Sequence, residues 1–207
     1  MAQRVNENVT GISLVAAALS NGRARSLFAT AQDELRPVMN GIYFDLNTES
    51  LTIVASDGHK LVRNKNFTVK GDNSASFILP KKPAQILKGE LGKSGGDVIV
   101  KFNERNAEIT FGDFKLSCRL IEGRYPNYNS VIPKDNPNCV TIDRASFLSA
   151  MRRVIVFASA SSMLVKFQIE SGKITMSSQD IDFSTSAEEH LDCEYNGTPM
   201  NIGFKGT

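Results

Sequence analysis

The chain has 207 residues, 41% of them hydrophobic, and its 24 basic and 22 acidic side chains leave a net charge of +2. Length and apolar content suffice for one large domain or two ordinary ones with a buried core, whereas no run reaches the roughly 18 apolar residues of a membrane helix and the N-terminal MAQRVNENVTG lacks a signal peptide's apolar centre. A cytoplasmic location is expected, and so balanced a charge excludes a uniformly basic nucleic-acid binder: any phosphate contact must rest on locally concentrated lysine and arginine.

In chain order, the first segment with helical character spans roughly 16–30 and carries Arg23 and Arg25, with Gly22 interrupting it at a cost of about 1 kcal/mol relative to alanine. Period-2 stretches follow: IYFDL (42–46), LTIVA (51–55), FTV (67–69) and SFIL (76–79). A second helix is expected over 82–91, with Lys81 and Lys82 where it begins. GELGKSGG (89–96) would need glycine at 87 to be a phosphate loop and has Leu87, so its glycines are read as ending that helix. Strands VIVKF (98–102), AEITF (107–111) and FKLSC (114–118) come next, and Asp135-Asn136-Pro137-Asn138, following Pro133, marks a candidate boundary. The clearest helix, 144–158, puts Phe147, Met151, Val154, Ile155 and Ala158 on one stripe with Arg152 and Arg153 opposite, after a cap at Thr141 to Asp143. LVKFQI (164–169), KITM (173–176) and HLDCEY (190–195) complete the strands. Turn residues such as Asn47-Thr48, Gly112-Asp113 and Ser171-Gly172 between these strands predict antiparallel sheet built from hairpins, an α+β fold. Cys118, Cys139 and Cys193 are odd in number, widely spaced and free of any CxxC, which predicts reduced thiols and neither metal site nor cofactor.

The sequence also repeats itself. A shift of 123 residues lays Ile42–Leu46 on Val165–Ile169 and Leu51–Ile53 on Ile174–Met176 without a gap, while Phe28–Ala31 matches Phe157–Ala160 at a shift of 129. Phe77-Ile78-Leu79 corresponds to Ile202-Gly203-Phe204 at a shift near 125. One whole unit followed by about half of another is expected.

Asp57-Gly58-His59 has the look of a catalytic fragment, but no serine or cysteine nucleophile motif accompanies it and the chain's other histidine is His190. The turn reads more simply as structural, with Gly58 supplying a positive φ, Asp57 bonding the turn backbone and His59 exposed. No catalytic residue is assigned.

Five long, collinear stretches carry a resemblance to a known family: RPVMNGIYFDL (36–46), LTIVASDGHKL (51–61), FILPKKPAQIL (77–87), FGDFKLSCRLIEGRYPNYNSVIP (111–133) and YNGTPMNIGF (195–204). The chain resembles the bacterial sliding clamp, the beta subunit of DNA polymerase III. The resemblance implies a DNA-clamp fold with two helices per complete domain, residues 1–133 matching the middle domain and 134–207 the first part of the third, hence a fragment of a longer chain. Family members form a homodimeric head-to-tail ring around duplex DNA without sequence specificity, are handled by a clamp loader, and tether DNA polymerase III and other replication proteins. No enzymatic activity and no membrane partner is implied.

Residue by residue, the resemblance places Ser56, Gly58, His59, Lys60 and Leu61 on the turn side of a pocket for short hydrophobic peptides, Met39 at an apolar pocket position, and Pro126, Ser130 and Val131 on the wall given by RYPNYNSVIP. Ser130 stands where relatives can carry arginine. The opposite wall comes from a later part of the third domain, so weakened peptide affinity is expected. A sliding protein should hold positive charge near phosphates and leave base edges alone, and the candidates to face DNA are Arg23, Arg25, Arg36, Lys81, Lys82, Arg152 and Arg153. Pro37 and Val38 stand where some relatives have aromatic residues, which weakens the case for base stacking there. The rival reading is a β-rich protein-interaction scaffold without DNA binding, favoured by the near-neutral charge.

Overall fold

The computed structural model describes residues 10–15, 26–91 and 96–206. The chain divides into two compact units, Met1–Val131 and Ile132–Thr207.

In the first unit β1 (Thr10–Val15) joins β6 (Asp97–Phe102), β7 (Asn106–Phe111) and β8 (Phe114–Arg119) in one antiparallel sheet, order β1-β6-β7-β8. A second sheet, order β4-β3-β2-β5, is made by β2 (Gly41–Leu46), β3 (Leu51–Ser56), β4 (Leu61–Asn66) and β5 (Ala75–Pro80). Helix α1 (Lys81–Leu91) follows β5 and buries Ala84 and Leu87. One core takes side chains from both sheets and this helix, among them Phe44, Phe77, Leu79, Leu87, Val100, Phe102 and Ile109. Phe77 links the layers, stacked on Phe44 at 4.7 Å and tilted against Phe102 at 4.5 Å. Each such side chain taken from water contributes roughly 1.5–3 kcal/mol.

In the second unit β9 (Val140–Thr141) pairs with β13 (Glu194–Tyr195), and β10 (Leu164–Glu170), β11 (Lys173–Asp180), β12 (Thr185–Asp192) and β14 (Met200–Lys205) form a sheet in order β12-β11-β10-β14. Helix α2 (Arg144–Val154) starts where the Asp143 carboxylate accepts the Ser146 N–H at 2.7 Å, and it buries Ala150 and Val154. The Ser146 side chain first, and that backbone bond second, hold the Asp143 carboxyl below its ordinary range.

The internal repeat is realised down to strand register. Phe44 lies opposite Ile53 on one side and Phe77 on the other; its counterpart Phe167 lies opposite Met176 and Ile202. The inward-facing parity of the repeated strands is thus the same in both units.

Three expectations need correction. The predicted strand FTV is a bend: Asn66 Oδ1 accepts the N–H groups of Thr68 and Val69 and the Thr68 hydroxyl, which ends β4 and leaves Phe67 exposed. The pairing strand is the polar LVRNKN just before it, held by β3 along its whole length. The helix expected over 144–158 stops at Val154 and continues as a 3-10 turn, Ile155–Phe157, where the Ser178 hydroxyl donates to the Val154 carbonyl. The helix expected over 16–30 ends earlier: Ser26 is helical, a 3-10 turn, Leu27–Ala29, follows it, and Thr30 is already extended; residues 16–25, with Arg23 and Arg25, lie outside the described residues.

Candidate functional site

The β3–β4 connection is a tightly bonded loop. Asp57 Oδ1 accepts the N–H groups of His59 and Lys60, both at 2.9 Å, and its Oδ2 lies 3.3 Å from the Lys60 ammonium. Burial alone would raise the Asp57 pKa, but the Lys60 and His59 hydrogen bonds and the Lys60 charge outweigh it and hold the carboxyl below its ordinary range. Ser56 Oγ donates to the Lys60 carbonyl at 2.9 Å and accepts from Gly58 N at 3.1 Å. Gly58 has φ +92°, a conformation that L side chains rarely adopt. With its carboxylate committed to the turn backbone, Asp57 is a scaffold for the loop, and His59 is exposed beside it.

Across the outer face of the same sheet runs a strap, Leu120–Val131, which starts with Ile121 N donating to Ile78 O at 3.0 Å. Beneath it sit Val54 and Ile78, which with Tyr125 form a small buried apolar cluster joined by Val38, Tyr43, Leu61, Ile121 and Tyr128. Tyr125 stacks flat on Tyr43, centroids 4.7 Å apart and planes 4° apart. Tyr128 donates its hydroxyl to Asp45 at 2.9 Å, and Arg63 reaches Asn129 Oδ1 at 3.4 Å. Burial, then the Asp45 hydrogen bond, raises the Tyr128 pKa. Tyr125 is 7% exposed, and its enclosed hydroxyl completes no hydrogen bond. Burial pushes that phenol up to about 12, with the nearby Ser56 backbone pulling the other way. The strap also borders a cleft of about 580 Å³ lined by Tyr43, Ile78, Ile121, Tyr125, Pro126 and Tyr128, among others.

Of the residues expected at a peptide pocket, Leu61 belongs to the apolar cluster beneath the strap, Ser56 bonds the turn, and Gly58, His59 and Lys60 are exposed at its tip. Pro126, Ser130 and Val131 are exposed on the strap, the Ser130 hydroxyl donating to Asn127 O at 2.7 Å. Met39 is buried in the 3-10 turn Pro37–Asn40 and lies outside that cluster, with its N–H on Arg36 O and its carbonyl accepting Ala31 N. Sequence reasoning missed Tyr43, Val54, Ile78, Ile121, Tyr125 and Tyr128. A signal was available: ILE-TYR-PHE, ILE-VAL and PHE-ILE-LEU are apolar at both parities, as two-sided burial requires.

The basic candidates separate. Arg36 pairs with Asp33, Nε to Oδ2 2.7 Å, and lies against the turn, where a Cβ at Gly58 would come within 2.9 Å of its Nη1. Lys81 and Lys82 open α1 with no acidic residue in its first turn, so their charge opposes the helix dipole. Arg152 and Arg153 occupy the last turn of α2, where cations are favoured. Arg153 is held by Glu189 of β12 through both carboxylate oxygens, which raises the arginine pKa and lowers that of the glutamate. Among the described residues no group of histidine, cysteine and acidic side chains could hold a metal ion, and no helix is long and apolar enough to cross a membrane.

Paired antiparallel sheets with helices, and a strand unit used twice in one register, define the sliding-clamp fold. The same fold is found in the DNA polymerase III subunit beta of Pseudomonas aeruginosa, with a TM-score of 0.92 at 25% identity over 100% of this chain and 57% of that one. The Bartonella birtlesii sliding clamp, solved with griselimycin bound, gives 0.89 at 29% identity over 99% and 56%. The chain belongs to the DNA polymerase III beta subunit family: the family's central domain matches residues 15–127 and its C-terminal domain residues 129–207. The beta sliding clamp of Caulobacter vibrioides is 29% identical over 185 residues, covering 87% of this chain and 50% of that protein, and that of Borreliella burgdorferi is 31% identical over 78% and 42%. The chain spans about half the length of the curated relatives it matches.

Proposed function

We propose that this chain is part of a DNA polymerase processivity factor, a non-catalytic clamp that encircles duplex DNA and tethers polymerase and other replication proteins through a peptide site on the outer face of the first unit. The supporting observation is the juxtaposition of the Ser56–Leu61 turn and the strap through one apolar cluster, with Leu61 and Arg63 on one side and Tyr125, Tyr128 and Asn129 on the other. A peptide with leucine and phenylalanine anchors needs an apolar surface plus a few backbone and polar groups to set its direction. Leu61, Pro126 and Val131 supply the first; the turn tip Gly58, His59 and Lys60 and the Ser130 position supply the second. Met39, expected at an apolar pocket position, is buried in the 36–40 loop and is offered as a support of the pocket through that loop. On the DNA side, Lys81 and Lys82 sit where the helix dipole disfavours them, which argues for a use other than stabilising α1. Arg36, Arg152 and Arg153 are offered as further phosphate-facing groups, with Arg23 and Arg25 on the segment ahead of them.

Anisotropy titration of a labelled peptide bearing those anchors tests the pocket. Lys60→Glu and Val131→Ser should each weaken binding, and equal affinity for both variants and the parent chain would remove the assignment. A second reading, an interaction scaffold without DNA contact, is favoured by the engagement of Arg153 with Glu189. Duplex binding measured across salt separates the two: replacing Lys82 and Arg152 should reduce the slope of log K against log salt by roughly one per lost phosphate contact, whereas a scaffold shows no salt-dependent binding to lose.

A further inference from the structure

Strand β5 ends its sheet. In the order β4-β3-β2-β5 it pairs only with β2, and its outer side meets the strap at one point, where Ile78 O accepts Ile121 N at 3.0 Å. The direction of its other main-chain groups follows from the ladder. Asn47 N donates to Ser50 O, so the odd-numbered residues of β2 turn their main-chain groups to β3, and the even-numbered Ile42, Phe44 and Leu46 turn theirs to Leu79, Phe77 and Ala75 of β5. Ser76 and Ile78 therefore face away from β2, in agreement with the Ile121 bond. Ser76 is exposed, and neither its N–H nor its C=O has a hydrogen-bond partner among the described residues. Unpaired edges are ordinarily blunted by charge, proline, a bulge or a covering loop. Here Pro80 closes one end of β5 and the strap covers Ile78, which leaves Ser76 open.

The open edge lines the cleft of about 580 Å³ beside the strap. Tyr43, Ile78 and Tyr128 supply its apolar side, and Pro126, one wall of the candidate peptide site, borders it as well. Its charged side chains, Asp45, Glu104 and Glu122 against Arg105 and Arg124, nearly balance, and Asp45 and Glu122 are already engaged, the first by Tyr128 and the second by Arg105 and Arg119. The cleft thus sets little charge requirement. What it offers is a main-chain donor and acceptor on an open sheet edge beside aromatic rings, the recognition surface of strand addition.

We propose that this cleft receives an extended segment of a partner protein, the stretch flanking its apolar anchors, which adds to β5 as a fifth strand at Ser76. The inference rests on the reading of the turn-and-strap site as a peptide pocket. Anchors seated on the turn side of the strap lie next to Pro126, and a chain that continues over this residue enters the cleft. Because main-chain groups do the pairing, the flank is selected for an extended, proline-free conformation more than for particular side chains.

Anisotropy titrations of this chain with three labelled peptides test the proposal: the leucine and phenylalanine anchors alone, and the same anchors with a flank of about six alternating threonine and valine residues, roughly 20 Å when extended, on the N-terminal or the C-terminal side. One flanked peptide should bind about tenfold tighter than the anchors alone, as two added main-chain hydrogen bonds allow. Ser76→Pro removes an N–H that the ladder with β2 does not use; it should erase that gain and leave the anchors-only affinity unchanged. Two readouts need no substitution in the protein. N-methylation of the flank should abolish the gain at the residue facing Ser76 and spare it at either neighbour, and the Ser76 amide should become protected from hydrogen exchange with the flanked peptide only. If neither flank adds affinity while the anchors still bind, this inference is overturned and the pocket reading stands. A gain that ignores the position of N-methylation, or that leaves Ser76 exchange unchanged, also overturns it. Failure of all three peptides to bind removes the two together.

Discussion

Tyr125 provides the sharpest test of the strap. Its ring is packed between Tyr43 and the Val54–Ile78 surface, yet its hydroxyl is enclosed without a completed hydrogen bond. An unsatisfied buried hydroxyl costs about 1–3 kcal/mol, and Tyr125→Phe keeps the ring and its stack while removing that cost. Stability should rise by about 1 kcal/mol or more, raising Tm by about 2–4 °C for a chain of this size. Tyr125→Ala loses the ring and leaves a cavity, at a cost of about 3–5 kcal/mol. Urea unfolding followed by tyrosine near-UV circular dichroism is the assay: there is no tryptophan, and three of the four tyrosines, Tyr43, Tyr125 and Tyr128, lie in this cluster. The pH dependence supplies a second readout. A phenol raised from an ordinary value near 10 to about 12 stays neutral in the fold, so its titration leaves stability unchanged below pH about 10 and lowers it as pH climbs toward about 12. Tyr125→Phe should flatten the alkaline decline in that window. Should Tyr125→Phe prove about 1 kcal/mol less stable than the parent, the hydroxyl has a true partner in the Ser56 backbone and the reasoning fails.

Gly58→Ala forces an L side chain to φ +92° and brings its Cβ to 2.9 Å from Arg36 Nη1, so a loss of about 1–2 kcal/mol in denaturant titration is expected, together with displacement of Arg36 from the turn. Asp143→Ala removes the cap of α2 and should cost about 1 kcal/mol, while Asp143→Asn, which keeps an acceptor for Ser146 N, should recover most of it. Cys139 is exposed and Cys118 is buried, its thiol pushed up to about 11 by desolvation. At neutral pH a thiol reagent followed by mass spectrometry should therefore modify Cys139 promptly and Cys118 only on unfolding; equal rates would contradict the packing of β8.

Strands with strict alternation were legible because one face alone had to be explained. VIVKF and AEITF bury every second residue, Val98, Val100 and Phe102, then Ala107, Ile109 and Phe111, as their pattern requires. LVRNKN was illegible for the opposite reason: β4 is an edge strand whose pairing with β3 overrides a polar composition, and FTV beside it looked better than it folds. The α2 stripe extends one turn too far in the sequence reading because Ile155 and Ala158 continue the apolar spacing while the backbone tightens to a 3-10 turn. In the candidate site the turn chemistry was legible at Asp57 and Gly58, since an Asx-bonded loop with positive φ follows from those residue types. The contact of Arg36 with that turn was not, because it depends on how the 36–40 loop approaches from elsewhere in the chain.

The repeat separates what folding requires from what a surface is for. At the core parity the two sheets carry equivalent apolar residues, Phe44 with Phe167, Ile53 with Met176, Leu46 with Ile169, all buried. At the outer parity they part: Tyr43, Val54 and Ile78 in the first unit correspond to Lys166, Ser177 and Gly203 in the second. An outward apolar set on a four-stranded sheet carries a solubility cost unless something covers it, and in the first unit the strap does so with Ile121, Tyr125 and Tyr128. The second sheet folds with polar residues at the same positions, so the apolar outer face is not a requirement of this strand unit. It occurs where the strap and the Ser56–Leu61 turn meet, so the packing role of Tyr43, Val54 and Ile78 is to support that surface.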